Sequence, residues 1–248
     1  MEMEQEQGKE CRNYRDQEKN KARSAADIKE SSMRELRAWY DRAQKQYSRE
    51  HPKGSSSVLI PILIRNGEYH VLYEVRSSKL GTQPGEICFP GGRIESGEDP
   101  EEAAVREAVE ELCIEKDQIE VIGALERVSG PGGTALHAYI GFLTGYNGSF
   151  SEDEVGQVFT LPLSWILEND PEIYRIQLER RMPGDFPYEY VPGGRDYKWR
   201  EQSHVIPFYP QAVPVFWEKN FDSAGFPVLW GATARVTCLF ADFMRAGI

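Results

Sequence analysis

Cysteine is scarce in this chain. There are four in 248 residues, at positions 11, 88, 113 and 238, and no CxxC pair among them. That excludes a disulfide framework and the common zinc sites, and it suits free thiols in a reducing compartment. Long apolar runs are missing too: none approaches the roughly 20 residues a membrane-spanning helix needs, so no membrane partner is expected. The amino terminus, MEMEQEQGKE, is too acidic for a transit peptide and has no apolar signal core. The last residues, Ala246-Gly247-Ile248, match no peroxisomal or retention tripeptide. The expectation is a soluble, intracellular, cytoplasmic protein, with an organelle left open.

An excess of basic charge is also absent. The chain has 29 Lys/Arg against 40 Asp/Glu, a net of −11. Residues 1–50 hold twelve basic and eleven acidic side chains, which leaves 17 against 29 in the remainder. An acidic body argues against nucleic acid as a partner and fits a protein that holds metal cations.

Residues 1–52 read as a charged, partly helical N-terminal extension. Residues 1–25 are too polar to bury a core. Within 26–50, Ile28, Met33, Leu36, Trp39, Tyr40 and Tyr47 are loosely spaced for one helix face. This helix is either a site for a protein partner or a cap on the body. Residues 53–248 read as the body. Two apolar runs there flank Asn66-Gly67, a strong hairpin signal. Strands are expected at 119–125 and 135–143, with the loop SGPGG (Ser129 to Gly133) between them. The stretch Tyr188 to Trp199 alternates around Pro192-Gly193-Gly194 and suggests a second hairpin. GATARVTCLFADFM, from Gly231, suggests a closing helix. His137 reads as one face of a strand. Cys88 and Cys238 read as small core hydrophobes, and Trp230 as core, with a place in a pocket wall left open. The fold class is α/β (α+β): a mixed β-sheet sandwiched between helices.

The chemistry concentrates in FPGGRIESGEDPEEAAVREAVEELCI, Phe89 to Ile114. Asp99 is placed to cap a helix that has Pro100 at its first position. Ala104, Val105, Ala108, Val109 and Leu112 form its apolar stripe. Glu107, Glu110 and Glu111 fall on one face, although like charges three and four apart repel by about 0.2–0.5 kcal/mol per pair. Hard divalent cations want oxygen ligands, so a bound cation would turn that repulsion into attraction. A solvated acidic face is the other reading of the same residues. Arg106 lies four residues before Glu110, within pairing reach.

The stretch resembles the Nudix box, G-x5-E-x7-R-E-U-x-E-E-x-G-U with U apolar. Gly92, Glu98, Arg106-Glu107, Ala108, Glu110-Glu111 and Ile114 take the matching places, and Cys113 stands where the pattern has its last glycine. A left-handed residue is common there, and a side chain makes that conformation cost about 1–2 kcal/mol. The resemblance implies a Nudix hydrolase with Mg²⁺ or Mn²⁺ as cofactor. It implies Glu107 and Glu111 as main metal ligands, Glu110 as an assisting one, and a carbonyl of Gly91 or Gly92 beside them. It implies attack of water on a diphosphate, with Glu110 or Glu111 as general base and a loop glutamate, Glu152 or Glu154, behind them. Arg106 joins this catalytic group by holding a glutamate in place.

Upstream, VLYEVRSSKLGTQPGEICFPGG (Val71 to Gly92) resembles the signature of the coenzyme A pyrophosphatase branch, LLTxR-[SA]-x3-R-x3-G-x3-FPGG. Arg76, Ser77, Gly85 and Phe89-Pro90-Gly91-Gly92 match in register. VLYEV replaces the start, and Gly81 stands where the second arginine belongs. The resemblance implies hydrolysis of coenzyme A or acyl-coenzyme A to 3′-phosphoadenosine 5′-phosphate and phosphopantetheine or its acyl form. It implies substrate contacts from Arg76, Lys79, Gly91 and Gly92, with Arg93 behind them. Another nucleoside diphosphate derivative, such as ADP-ribose or NADH, is the rival substrate. A catalytically silent nucleotide sensor is the rival class.

Overall fold

The structure is a computed structural model. It describes residues 29–42, 56–125, 127–129, 135–178, 182–196, 198, 202–209, 216–217 and 228–247. Helix α1 spans 29–42. A central sheet follows, built on β1 (Ser56–Arg65) and β2 (Glu68–Arg76). Arg65 pairs with Glu68 across a two-residue turn. Asn66 and Gly67 both have positive φ, 53° and 84°, the geometry that suits the twist of a tight hairpin. The hairpin expected at Asn66-Gly67 is therefore present.

Two short strands, β3 (Ile87–Cys88) and β4 (Gly91–Arg93), pair with β2 and β1 respectively. Helix α2 (Pro100–Leu112) comes next. Then come β5 (Ile119–Ala124), β6 (Val128–Ser129), β7 (Ala135–Leu143) and β8 (Val155–Pro162). The short helix α3 (Leu163–Glu168) leads to β9 (Glu172–Leu178), β10 (Gln202–Tyr209), β11 (Phe216–Trp217) and β12 (Leu229–Trp230). Helix α4 (Gly231–Gly247) closes the described chain. The main path of the large sheet runs β11-β8-β2-β1-β7-β5, and β12-β10-β9 form a smaller one. The β1–β7 pairing is parallel and the other pairings are antiparallel, so the sheet is mixed.

β1 is covered on both faces, which explains its nearly unbroken apolar sequence. Val58, Ile60 and Ile62 join the core under α1, α3 and α4. Leu59 packs with Ala104 and Ala108 of α2, and Leu63 with Leu112. The sheet thus lies between helices, as the sequence implies. Met33 and Leu36 of α1 are buried in the larger core. Trp39 meets Tyr69 edge-on at 5.8 Å, and Tyr40 meets Phe243 at 5.3 Å. Of the two readings of residues 26–50, the described helix takes the one that caps the body.

The stretch expected as a second hairpin turns out otherwise. Tyr188–Tyr190 and Gly194–Asp196 are short 3-10 turns. Gly193 and Gly194 have φ of 83° and 58°, which breaks the extended alternation. Tyr197 and Trp199 lie outside the described residues, as do residues 1–28, the rest of the SGPGG loop after Ser129, and Tyr47.

Helix α2 starts as expected: the Asp99 carboxylate accepts from the Glu101 N–H at 2.8 Å. It ends on Cys113, whose φ of 50° and ψ of 52° are left-handed. The cap is thus retained with a side chain in the disfavoured region. Cys113→Gly is expected to stabilise the protein by about 1 kcal/mol and to raise the melting temperature by about 2–4 °C. A thermal melt with reductant present checks this.

Candidate active site

Sheet geometry brings the box together. Leu72, Glu74 and Arg76 alternate along β2, and Leu72 packs in the cluster that holds Leu112. Glu74 therefore faces α2 from below. β4 runs beside β1, with Val58 opposite Gly91 and Ser57 opposite Gly92. This lays the glycines along the inner edge of α2.

Glu111 is 4% exposed and accepts from the Gly91 N–H at 2.8 Å. Burial, partly offset by that bond, and the nearby charges of Glu107 and Glu154 push its carboxyl up to about 8. Glu107 lies against Gly92, where an added Cβ would fall on its carboxyl group. Burial raises its pKa as well, against the pull of Arg106. Arg106 bonds Glu98 through Nε at 2.8 Å and Nη2 at 3.2 Å, and meets Glu107 at 3.0 Å. It also donates to the Arg93 carbonyl at 3.3 Å. Those bonds hold the Glu98 carboxyl below its usual range. Arg106 is thus a clamp that ties the loop before α2 to the helix face.

The structure brings Glu107 and Glu111 to one edge of β4. Glu110 is left outside: its side chain is 56% exposed and meets Arg106 at 3.5 Å. Among the described residues, no three acidic, His or Cys side chains converge into a preformed cation cage. The helix spacing alone suggested convergence. Arg106 holds Glu107 and Glu110 from the outside, while Gly91 holds Glu111 on the inside.

Of the two loop glutamates, Glu154 acts electrostatically on Glu74, Glu107 and Glu111. Its loop is fixed by Ser151 N–H on the Glu111 carbonyl at 2.8 Å and by Ser77 N–H on the Glu154 carbonyl at 2.9 Å. Arg76 acts on Glu74 and Glu111 and donates to the Thr82 carbonyl at 3.3 Å. Lys79 faces Asp153 at 3.1 Å.

A cavity of about 400 Å³ opens beside this edge. Ile87, Phe89, Ile176, Val205 and Trp230 give it apolar walls, and Arg76 is among its lining residues. Trp230 is 44% exposed and lines the cavity, so the core reading is corrected and the pocket-wall reading is the one it takes. It stands on a two-residue edge strand paired only through Phe208 and Tyr209 of β10, so one face stays open to the cavity. His137 is buried on β7 as expected. Cys88, Cys113 and Cys238 are free thiols. Sequence reasoning missed Glu74 altogether, although a lone carboxylate inside the apolar run Val71–Val75 was a usable signal.

The family model described as the NUDIX domain matches residues 56–179, from β1 through the box to the end of β9. The chain belongs to the Nudix family. A mouse Nudix relative named peroxisomal coenzyme A diphosphatase NUDT7 is 37% identical over 120 residues, which is 48% of this chain and 50% of that protein. A Citrobacter koseri protein named uncharacterized Nudix hydrolase NudL is 37% identical over 111 residues, 44% of this chain and 57% of its own. The chain thus spans about half the length of the curated relatives it matches. A solved Caenorhabditis elegans Ap4A hydrolase is similar at a TM-score of 0.40 and 19% identity, covering 46% of this chain and 83% of that one. The helix with its glutamates, the glycine strand and Arg106 all lie within the Nudix match. Among the described residues no helix is long and apolar enough to cross a membrane.

Proposed function

We propose that this Nudix protein hydrolyses the diphosphate of coenzyme A or its acyl thioesters. The observation that carries the reading is the placement of Glu107 and Glu111 against the Gly91-Gly92 strand, next to a cavity that Arg76 and Phe89 line. The donors are all oxygens: two carboxylates and the carbonyls of Gly91 and Gly92. Such a set fits Mg²⁺ or Mn²⁺. A bound divalent cation would supply charge neutralisation for the diphosphate and a lower pKa for an attacking water.

The chain's own groups do the rest. Glu107 and Glu111 would hold the cation, with Glu110 assisting from the rim. Arg106 keeps Glu107 and Glu98 in place. Glu110 or Glu111 takes the proton of the attacking water, with Glu154 as the reserve base. The water oxygen bonds to phosphorus, the P–O–P bond breaks, and the second phosphate leaves with the bridging oxygen. Arg76 meets substrate phosphate as a bidentate donor, with Gly91 and Gly92 giving close backbone approach. Lys79 contributes once it releases Asp153. The free thiols fit a reducing intracellular compartment.

A second reading, another nucleoside diphosphate derivative as substrate, gains from one observation. Gly81 stands in open space where the signature has an arginine, and Lys79 faces Asp153 instead of the cavity. Product masses decide between them. With Mg²⁺ or Mn²⁺, coenzyme A should yield 3′-phosphoadenosine 5′-phosphate and phosphopantetheine, and acyl-coenzyme A the acyl form. Intact coenzyme A alongside cleaved ADP-ribose or NADH would move the assignment to the second reading. Nucleotide binding with no turnover of any substrate would favour a sensor.

A further inference from the structure

Glu74 lies in the middle of β2, opposite Cys88 on one side and Val158 on the other. It is 1% exposed, beside Glu111 at 4%. It occurs in VLYEV, the stretch where the chain departs from the coenzyme A signature. Next to Leu72 and Val158, an apolar residue would suffice for packing. A carboxylate there is costly unless it is paired. Its Oε1 is buried and has no hydrogen-bond partner among the described residues. The nearby cation, Arg76, spends its Nε–H on the Thr82 carbonyl, and the Gly91 N–H is taken by Glu111. Buried polar atoms in folded proteins nearly always have partners. Glu74 already shares a side-chain hydrogen bond with Glu111, so it stands directly against that carboxylate, and Oε1 is the oxygen left without a partner.

We propose that Glu74 is a further carboxylate of the divalent-cation site, giving its unpartnered Oε1 to the ion's shell from the sheet side, behind Glu111. The inference rests on the metal-binding part of the proposed function and adds a ligand from outside the box. The site would then draw on β2, β4 and α2 together. Glu107 and Glu111 come from the helix, the glycine carbonyls from β4, and Glu74 from the strand beneath. The sheet-borne ligand is held by a buried strand, whereas Glu110 stays at the exposed rim. An all-oxygen site with one more buried carboxylate selects hard divalent ions over softer ones.

The test is Mn²⁺ binding without substrate, followed by the electron paramagnetic resonance of free Mn²⁺, in the full chain and in Glu74→Gln. Gln keeps the shape of the side chain and removes the anionic oxygen. The expected result is affinity lowered by about tenfold or more, with the melting temperature of the metal-free variant not lowered. Affinity within twofold of the parent overturns the proposal and leaves the reading of the box intact. A parent that binds no Mn²⁺ overturns both. Crystals of the unaltered chain grown with Mn²⁺ give an independent measurement should Glu74→Gln fail to fold. An anomalous peak about 2–2.5 Å from a Glu74 oxygen supports the assignment. A peak held by Glu107 and Glu111 with Glu74 well out of ligand reach overturns it.

Discussion

Glu111→Gln is expected to cut hydrolysis by about a thousandfold and, at pH 8 without metal, to make the protein more stable. The two effects share one cause. Glu111 sits in a site that disfavours its anion, because burial and neighbouring acids push its carboxyl up to about 8. A raised carboxyl means the folded protein binds more protons than the unfolded chain between the ordinary value of 4.5 and about 8. Where the native state holds the extra proton, stability falls as pH rises. The contribution is fully present below about pH 4.5 and lost through pH 8, at up to about 1.4 kcal/mol per pH unit. Burial pushes Glu74 in the same direction, so the two carboxyls add in sign. Gln carries no charge and still accepts from the Gly91 N–H. The gain in melting temperature over the parent should therefore be near zero at pH 4.5 and largest at pH 8. Adding Mg²⁺ or Mn²⁺ should raise the parent at pH 8, because binding to the folded form alone stabilises it, and should raise the variant far less. Hydrolysis should fall by about 10³-fold, since the cation's charge stabilisation is worth several kcal/mol. Melts over that pH range and product assays measure both halves. A variant that melts lower than the metal-free parent at pH 8 would refute the electrostatic account, whatever its activity.

Gly91→Ala is expected to be the most damaging small change in the chain. Gly91 has φ of 154°. A methyl group there would sit 2.6 Å from the Val58 Cα and closer still to the Ser57 carbonyl oxygen. Both are backbone atoms of a strand covered on two faces, so they have nowhere to move. Overpacking of this kind, together with the positive φ, costs about 3 kcal/mol, or about 10 °C in melting temperature for a chain of this size. The Gly91 N–H also anchors Glu111. A displacement of about 1 Å at such an anchor can lower turnover by about a hundredfold, measured at a temperature where the variant is still folded. Gly81→Ala is the control. Its Cβ would meet nothing within 4 Å and its φ is not positive, so stability should change by less than about 0.5 kcal/mol.

What could be read from the sequence was what local chemistry decides. Asn66-Gly67 dictates its turn because it tolerates positive φ at both positions. Asp99 and Pro100 announce the start of α2, and the box lies within a few turns of one helix. What could not be read depends on contacts between distant segments. Helical spacing put Glu107, Glu110 and Glu111 on one face, but the sheet beneath decides which of them is buried. It takes Glu111, half-covers Glu107 and leaves Glu110 at the rim. Glu74 lies beside Glu111 only because β2 runs under α2, more than 20 residues away in the chain. The Tyr188 stretch has strand-like alternation, yet Gly193 and Gly194 bend it into turns. Its neighbours β9 and β10 pair with each other across it.

The contact between α1 and α4 bears on when this protein can fold. Tyr40 rests on Phe243, Arg42 donates to the Gly247 carbonyl, and the Trp39 backbone crosses within reach of Gly247. The first described helix meets β2 and β5 through Tyr69 and Glu120, but its seat is complete only after α4 has been made. Met33 and Leu36 share their core with Val236, Phe240 and Phe243 of α4 as well as with the strands, so that core stays open until α4 exists. Closure of loops this long is slow and leaves sticky intermediates in the meantime. The larger core of this chain is completed only once α4 has been made, and a chaperone that shelters early helices would be expected to raise its yield.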